Sequence, residues 1–576
     1  MHTLNLQDLP TELLQKIFVT NDFPRENLIS IARVSRRFNS IAIPAVLALY
    51  GIRQPSKQFK ACVWCGTAVQ LFSEGKRGKV DVLSGLALGF DITEVEELDW
   101  RIDAERSYTM DVLFKDYGRL LRILQRLQRI KTASISFEGL NYFSAWAGAA
   151  PIGIWRGLME GILNVLVERG CKSLVIYHGS LVAQIFVKTK KRGESEGVAV
   201  MVQRTKNLFG VSTTSPTLEG PTWKMARSKA SVPMKLANLS EAARRSSQLQ
   251  RIHISSCMLL HPPLSHWTYS ILATPSLTSL TLCGLEFTAL EWEAILSWLA
   301  IPLKAKLVEL TIERCHRFTT STATSLIEFI VQLGSLTHLR LGPPFPDVSN
   351  PDFKRTLQNF KSKSGVESGD NVQVLPNLVS LEAFSDWIEL LLSSSSPSQT
   401  QRSNLKSLYI RARTVFFHTY FNHLCPVALP PVLSSPVLLP RGSGLQVTLD
   451  LYQADTDSGN LEGYISQLSR STDMSPEVFE GITHLVLPSW DFTLSLPHYE
   501  ATCRFFAMWK GLEEVIFAPS TKGGTLKVWE KGDKVTFSAH ARKWCPNVKV
   551  FWYNHMEHRL TNAEGVVEDR FYVMNI

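Results

Sequence analysis

Cysteine is scarce in this chain, with nine scattered through 576 residues. An odd, sparse set of that kind argues against a disulfide framework and for reduced thiols. No apolar run reaches the roughly 18 residues that would cross a bilayer, so no membrane association is expected. The N-terminus, MHTLNLQDLP, has no basic stretch leading into an apolar one, which argues against a secretory signal. The expected location is therefore cytoplasmic, nuclear or both.

Catalytic signatures are missing as well. There is no G-x-S-x-G elbow and no H-E-x-x-H helix. GKRGK at 75–79 lacks the spacing of a phosphate-cradling loop. Cys62 and Cys65 form a lone C-x-x-C, and a structural zinc needs four ligands. Cys545, His555 and His558 would complete a set only if the two ends of the chain met. Zinc binding or a redox pair thus stands beside the plainer reading of small buried apolar residues. The expectation is a non-enzymatic protein with no cofactor and no metal.

Hydrophobic residues at 45% and charged residues at 20% are ordinary for a globular protein, but 576 residues are too many for one compact core. The net charge of +9 is local: Lys188 to Arg245 holds 12 Lys or Arg against 4 Glu and no Asp. That stretch is also rich in Ser, Thr, Gly and Pro, the composition of a flexible solvated insertion, with a phosphate-binding arm as the alternative. The rest is nearly neutral, so no nucleic-acid partner is expected.

Near the N-terminus, LPTELLQKIF places Pro10 at a first helical turn and Glu12 near the positive end of the helix dipole. Leu9, Leu13 and Ile17 recur every four residues, and Leu14 and Phe18 widen the stripe. A second stripe runs through Leu28, Ile31 and Ala32. Ser35 can cap a third helix bearing Phe38, Ile41 and Ala42, with Pro44 expected to end it. Three short helices in about forty residues bury too little to be robust alone. They form either a cap on the next domain or a docking module whose partner completes the core.

LPTELLQKIF followed by LISIARVSRRFNSIA resembles the F-box family pattern over residues 5–50. Phe38 stands where many members carry Trp, and VTNDFPREN between the helices has no strong match. The resemblance implies binding to a Skp-type adaptor and, through it, to a cullin-RING scaffold. By carry-over, Leu9, Pro10, Leu13, Ile17, Ile31, Val34 and Phe38 face or support the adaptor.

Further on, an apolar residue, two others, an apolar residue, one other and a third apolar residue recur. The copies are LQRIHI (249–254), LTSLTL (277–282), LVELTI (307–312), LTHLRL (336–341), LVSLEA (378–383), LKSLYI (405–410), ITHLVL (482–487), LEEVIF (512–517) and VKVFWY (548–553). The first four start 28, 30 and 29 residues apart, the period of a leucine-rich repeat. Cys257 and Cys315 follow the third apolar residue of their copies, where that pattern has Asn or Cys. Helical stretches at 288–300 and 324–334 lie between copies, the latter closed by Gly334. Inserts at 343–376, 393–403 and 426–444 break the register. LQVTLDLY (445–452) fits loosely, and 127–137 and 171–177 look like degenerate early copies. An unrelated α/β domain with coincidental Leu spacing is the alternative.

The expected fold is therefore α/β: an F-box at 1–50, a connecting region at 51–126, and an irregular leucine-rich-repeat solenoid at 127–576 interrupted at about 188–245. The combination resembles F-box receptors that hold substrates on a curved solenoid, including the large families of filamentous fungi. It implies the substrate-recognition subunit of a Skp–cullin–F-box ubiquitin ligase, or alternatively a scaffold without ligase output. Residues between the apolar positions would share one face of the sheet, Glu382 and Phe384 among them. Arg340, Tyr409, Arg411 and Trp552 are the candidate anchors for an unknown protein substrate, because Arg, Tyr and Trp are favoured at interfaces.

Overall fold

The computed structural model describes residues 8–19, 25–49, 52–54, 56–65, 82–104, 110–137, 149–178, 186–188, 223–225, 236–316, 320–342, 375–384, 387–388, 391, 404–411, 445–450, 482–488, 500, 503–504, 506–507, 509–518, 531–553, 556–560 and 567–571. They fall in two compact units, Met1–Glu286 and Phe287–Ile576.

The first unit begins with three helices, α1 (Thr11–Val19), α2 (Arg25–Ala32) and α3 (Arg36–Leu49). Leu14, Phe18, Leu28, Ala32, Phe38, Ile41 and Ala42 are buried among them. Phe18 and Phe38 meet edge to face, with ring centroids 6.1 Å apart, a geometry the ring quadrupoles favour. Ser35 caps α3 as its sequence suggests, its Oγ accepting from the Phe38 N–H at 3.1 Å. Pro44 does not end that helix, contrary to expectation, and α3 runs five residues further to Leu49. A proline inside a helix leaves one carbonyl without its donor. Here that carbonyl belongs to exposed Ser40, where water can serve it, while Val46 and Leu47 beyond the proline are buried.

Next comes α4 (Val82–Leu88), in the region the sequence left unassigned. Gly85 and Gly89 let it lie close to α3. A Cβ on Gly85 would touch Val46 and Leu47, and one on Gly89 would crowd Ile43 at 3.2 Å and Ile92 at 3.0 Å.

Six parallel strands succeed one another in spatial order: β1 (Gln58–Cys65), β2 (Glu94–Ala104), β3 (Arg129–Ser136), β4 (Ser173–Tyr177), β7 (Arg251–Ser255) and β8 (Ser279–Cys283). A separate hairpin pairs β5 (Phe186–Lys188) with β6 (Trp223–Met225). The register aligns Leu98, Ala133, Leu174, Ile252 and Leu280 in one buried row. Trp100, Ile135, Ile176, Ile254 and Leu282 form a second. β4, β7 and β8 bury every second residue, so one face of the sheet carries the core.

Helices α5 (Met110–Arg126), α6 (Ala149–Glu168), α7 (Glu241–Ser246) and α8 (Ser265–Leu272) belong to the same unit. Polar side chains every four residues along α6 strap down residues 236–240. Arg156 pairs with Glu160 at 2.6 Å, and Glu160 accepts from the Asn238 N–H at 3.2 Å. Asn164 donates to the Asn238 carbonyl and accepts from the Ser240 N–H and from Trp267 Nε1, at 3.0–3.1 Å. The Ser240 hydroxyl donates to Glu168 at 2.7 Å. Residues 236–245, the end of the basic stretch, are thus packed against the body. Residues 189–222 and 226–235 of that stretch lie outside the described residues.

In the second unit, eight parallel strands succeed one another: β9 (Glu309–Glu313), β10 (His338–Leu341), β11 (Ser380–Phe384), β12 (Ser407–Arg411), β13 (Leu445–Asp450), β14 (Ile482–Pro488), β15 (Glu514–Ala518) and β16 (Val550–Tyr553). Two antiparallel strands, β17 (Met556–Leu560) and β18 (Val567–Phe571), complete the order. All nine copies of the apolar pattern coincide with strands, and the loosely fitting segment at 445–452 is β13. Leu310, Leu339, Leu381, Leu408, Val447, Leu485, Val515 and Phe551 stand in one register row, every one buried. Helices α9 (Ala289–Leu303), α10 (Thr320–Val331) and α11 (Lys531–Trp544) belong to this unit. Thr288 and Glu291 form a complete capping box at the start of α9. Gly334 lies beyond the end of α10 without a left-handed φ, so it is not the cap the sequence suggested. The inserts at 343–374, 393–403 and 426–444 lie outside the described residues. No described helix is long and apolar enough to cross a membrane.

Candidate functional site

The apolar stripe of α1 divides into two faces. Leu14 and Phe18 point into the three-helix core, whereas Leu13 is 46% exposed and Ile17 half-buried. Pro10 is exposed and Leu9 half-buried. On α2 and the turn after it, Ile31 is half-buried and Val34 is 65% exposed. Arg37 ties these two parts together, donating to the Leu9 carbonyl and to Thr11 Oγ1. Six of the seven residues carried over from the family pattern therefore keep accessible apolar surface. Phe38 is the exception, and its place is the supporting one of the two roles the family pattern implies. It is 4% exposed against Phe18, so it shapes the module from inside rather than meeting a partner directly.

Sequence reasoning missed the residue that joins this module to the rest of the unit. Asn39 is 2% exposed. Its Nδ2 donates to the Ala32 carbonyl at 3.1 Å and to the Leu88 carbonyl at 2.9 Å, and its Oδ1 accepts from the Phe90 N–H at 3.3 Å. Arg126, from α5, takes the neighbouring carbonyls of Leu86 and of Ala87, the latter at 2.7 Å. Burial there lowers the Arg126 pKa. The carbonyls of Leu86, Ala87 and Leu88 at the end of α4 are thus met by the side chains of Asn39 and Arg126, with the Gly89 N–H also donating to Leu86. The available signal was the pair Gly85 and Gly89, four apart in SGLALGF, whose small size permits close helix packing.

Three of the four candidate anchors, Arg340, Tyr409 and Trp552, fall in one register row of the second unit's sheet. Thr311, Arg340, Glu382, Tyr409, Thr448, Val486, Ile516 and Trp552 form one register row, and Arg411 lies two residues beyond Tyr409. The row is not uniformly open. Thr448 and Val486 are buried, Tyr409 and Ile516 half-buried. Arg340 is already engaged, pairing with Glu313 and, at 3.2 Å, with Glu382. Gly342 lets Glu313 lie across the strand, since a Cβ there would come within 2.9 Å of the Glu313 side chain. Phe384 is buried and does not project as expected. The side chains of Arg411 and Trp552 lie outside the described residues. In the same part of the sheet, His484 meets Glu514 at 3.1 Å.

Among the described residues, no three His, Cys, Asp or Glu side chains converge on one point. Cys545 is buried and donates to the Cys503 carbonyl at 2.9 Å. The side chains of Cys62 and Cys65, and those of His555 and His558, lie outside the described residues.

Compared with known proteins, residues 6–47 match a family model described as F-box-like. That segment contains α1, α2 and most of α3, including every residue of the divided face. F-box domains mediate protein–protein interaction, typically in Skp–cullin–F-box ligases, and generally bind Skp-type adaptors. No curated protein matches the chain.

Proposed function

We propose that this protein is the substrate-recognition subunit of a Skp–cullin–F-box ubiquitin ligase, acting in the cytoplasm, the nucleus or both. The observation that carries this reading is the divided stripe of α1. Leu14 and Phe18 satisfy the module's own core, yet Pro10, Leu13 and Val34 keep apolar surface in water within an F-box-like segment. Such a surface needs a partner, and the Skp-type adaptor is the partner of that family. The adaptor brings a cullin-RING scaffold. The chain itself does no chemistry and uses no metal or cofactor. It raises the effective concentration of a target lysine near a ubiquitin-loaded enzyme.

We read the two parallel sheets as an irregular leucine-rich-repeat solenoid over residues 127–576, with 51–126 as its connection to the F-box at 1–50. Parallel pairing of successive strands within each unit supports this, as does the Cys257 thiol. It stands at the Asn or Cys position of that pattern and accepts from the Glu286 N–H at 3.3 Å, 29 residues on, which links one copy to the next. A protein target is held by the register row of Arg340, Tyr409 and Trp552, with Arg411 two residues beyond Tyr409. Its carboxylates, Glu309, Glu313 and Glu382, disfavour a nucleic acid.

Reconstitution tests the reading. The purified chain, adaptor, cullin-RING complex and charged conjugating enzyme should modify a protein that co-purifies with residues 51–576. Adaptor capture without transfer to any co-purifying protein would favour a scaffold without ligase output. Failure to capture the adaptor would overturn both.

A further inference from the structure

The first unit's sheet carries a face whose chemistry differs from that of the second. Strands β3, β4, β7 and β8 contain no aspartate or glutamate. Thr132, Ser173, Arg251 and Ser279 stand side by side in register, each followed by a buried residue of the opposite face. Two residues further along, Ser134, Val175, His253 and Thr281 make a second row. Arg251 is exposed and the other seven are half-buried. Tyr177, two residues beyond Val175, sets its ring centroid 5.4 Å from that of His253.

The cations of this face are unpaired. Lys131 and Lys172 immediately precede Thr132 and Ser173, and the backbone ties them to Arg251. The Lys172 N–H donates to the Lys131 carbonyl at 2.8 Å, and the Arg251 N–H to the Lys172 carbonyl at 3.0 Å. Among the described residues, Lys131, Lys172 and Arg251 form no ion pair. Within the first unit, the first carboxylates in these rows are Glu97 and Asp99 on β2. They lie three strand spacings from Arg251, about 14 Å, and Asp99 already pairs with Arg101 at 3.4 Å. Arg340 of the second unit is by contrast clamped between Glu313 and Glu382.

We propose that this face of β3, β4, β7 and β8 docks an Asp- and Glu-rich segment of the protein target, with Arg251 as the charged anchor. This rests on the receptor reading above and adds to it the chemical class of the target. Charge complementarity names the occupant: an unpaired guanidinium, two flanking ammonium groups and no carboxylate on the four strands attract anions. The hydroxyls of Thr132, Ser173, Ser279 and Thr281 both donate and accept, so they suit a peptide's carboxylates and its backbone alike. Tyr177 and His253 add a flat aromatic surface beside the cation. Four strands span about 14 Å, the reach of about four extended residues. A nucleic acid is the poorer fit, because its affinity comes from many phosphate contacts and only three cations stand here.

Selection of a random-peptide display library on the full-length chain tests it. Wild type should enrich Asp- and Glu-rich peptides. Arg251→Glu should lose that enrichment and select Lys- and Arg-rich peptides instead, a reversal that misfolding does not produce. Arg251→Gln should weaken the best selected peptide about 5- to 30-fold, whereas Arg340→Gln should stay within about threefold of wild type. No enrichment, selected peptides without acidic bias, or an acidic set retained by Arg251→Glu would overturn the proposal while adaptor capture stands. A face that selects no acidic peptide but binds mixed-sequence single-stranded RNA through Arg251 belongs to a nucleic acid, which overturns it as well. Acidic selection by a chain that captures no adaptor would overturn the ligase reading alone.

Discussion

Asn39 and Leu88 stand 49 residues apart in sequence and are joined by a 2.9 Å hydrogen bond from the buried amide to the last carbonyl of α4. The same amide serves Ala32 and Phe90, so one side chain spans the end of α2, the start of α3 and the end of α4. The three-helix module is thereby continuous with α4 and the segment after it in the first unit.

Replacing Asn39 by Ala should cost about 2–4 kcal/mol of stability, because it leaves buried backbone groups without partners. Equilibrium denaturation of the first cooperative transition measures it. A loss under about 0.5 kcal/mol, the range of ordinary surface changes, would mean that water replaces the amide and that the junction is wetter than described.

Two neighbouring leucines on α1 should behave in opposite ways. Leu14→Ala removes a fully buried side chain and should destabilise by about 2–4 kcal/mol. Leu13→Ala removes an exposed one and should change stability by less than about 0.5 kcal/mol while weakening adaptor capture. Thermal melts and adaptor pulldown on both variants decide it. Reversed behaviour would mean that α1 is rotated by about 100° from the orientation described.

Much of this was legible in sequence, and the failures have physical causes. The L-x-x-L-x-L spacing locates nine strands because a leucine at the second and third positions is buried whatever the partner strand, so the signal is local. Pro44 misled because proline is disfavoured inside helices on average, whereas here the residue four before it, Ser40, is exposed. The family pattern left open whether Phe38 faces or supports a partner, because its burial depends on Phe18, on another helix. Asn39 and α4 were invisible because their roles depend on contacts between residues 38 to 51 apart in sequence. Arg340 was read as a substrate anchor, and the two carboxylates that hold it come from neighbouring strands 27 residues upstream and 42 residues downstream.

Lys306 gives a pH-dependent prediction. Partial burial lowers its pKa from 10.5 to about 8, so folding disfavours the charged form. The penalty is fully present below about pH 8 and fades as pH rises towards the unfolded value of 10.5. Lys306→Met should therefore be more stable than wild type at pH 7, with the difference shrinking at pH 10. Denaturation midpoints at the two pH values check this, and an equal difference at both would refute it.

Cys171 has the opposite sign. Burial raises its pKa from 9.0 to about 12, so the neutral thiol contributes stability that is full below about pH 9 and lost as pH climbs through about 12. Burial and a raised pKa both withhold the thiolate. Cys171 should resist alkylation by iodoacetamide at pH 8 in the native chain and react at once in denaturant. Peptide mapping reads the result, and rapid native labelling would place it at the surface.

The central claim is that the exposed face of α1 and the turn after α2 binds a Skp-type adaptor. Its most direct measurement is the affinity of the full-length chain for that adaptor with Leu13 and Val34 both changed to Asp. Both residues are exposed, so stability should hold, while burying two carboxylates in an apolar interface should abolish binding at micromolar concentrations. A double variant that folds like wild type and binds the adaptor equally well would contradict the account.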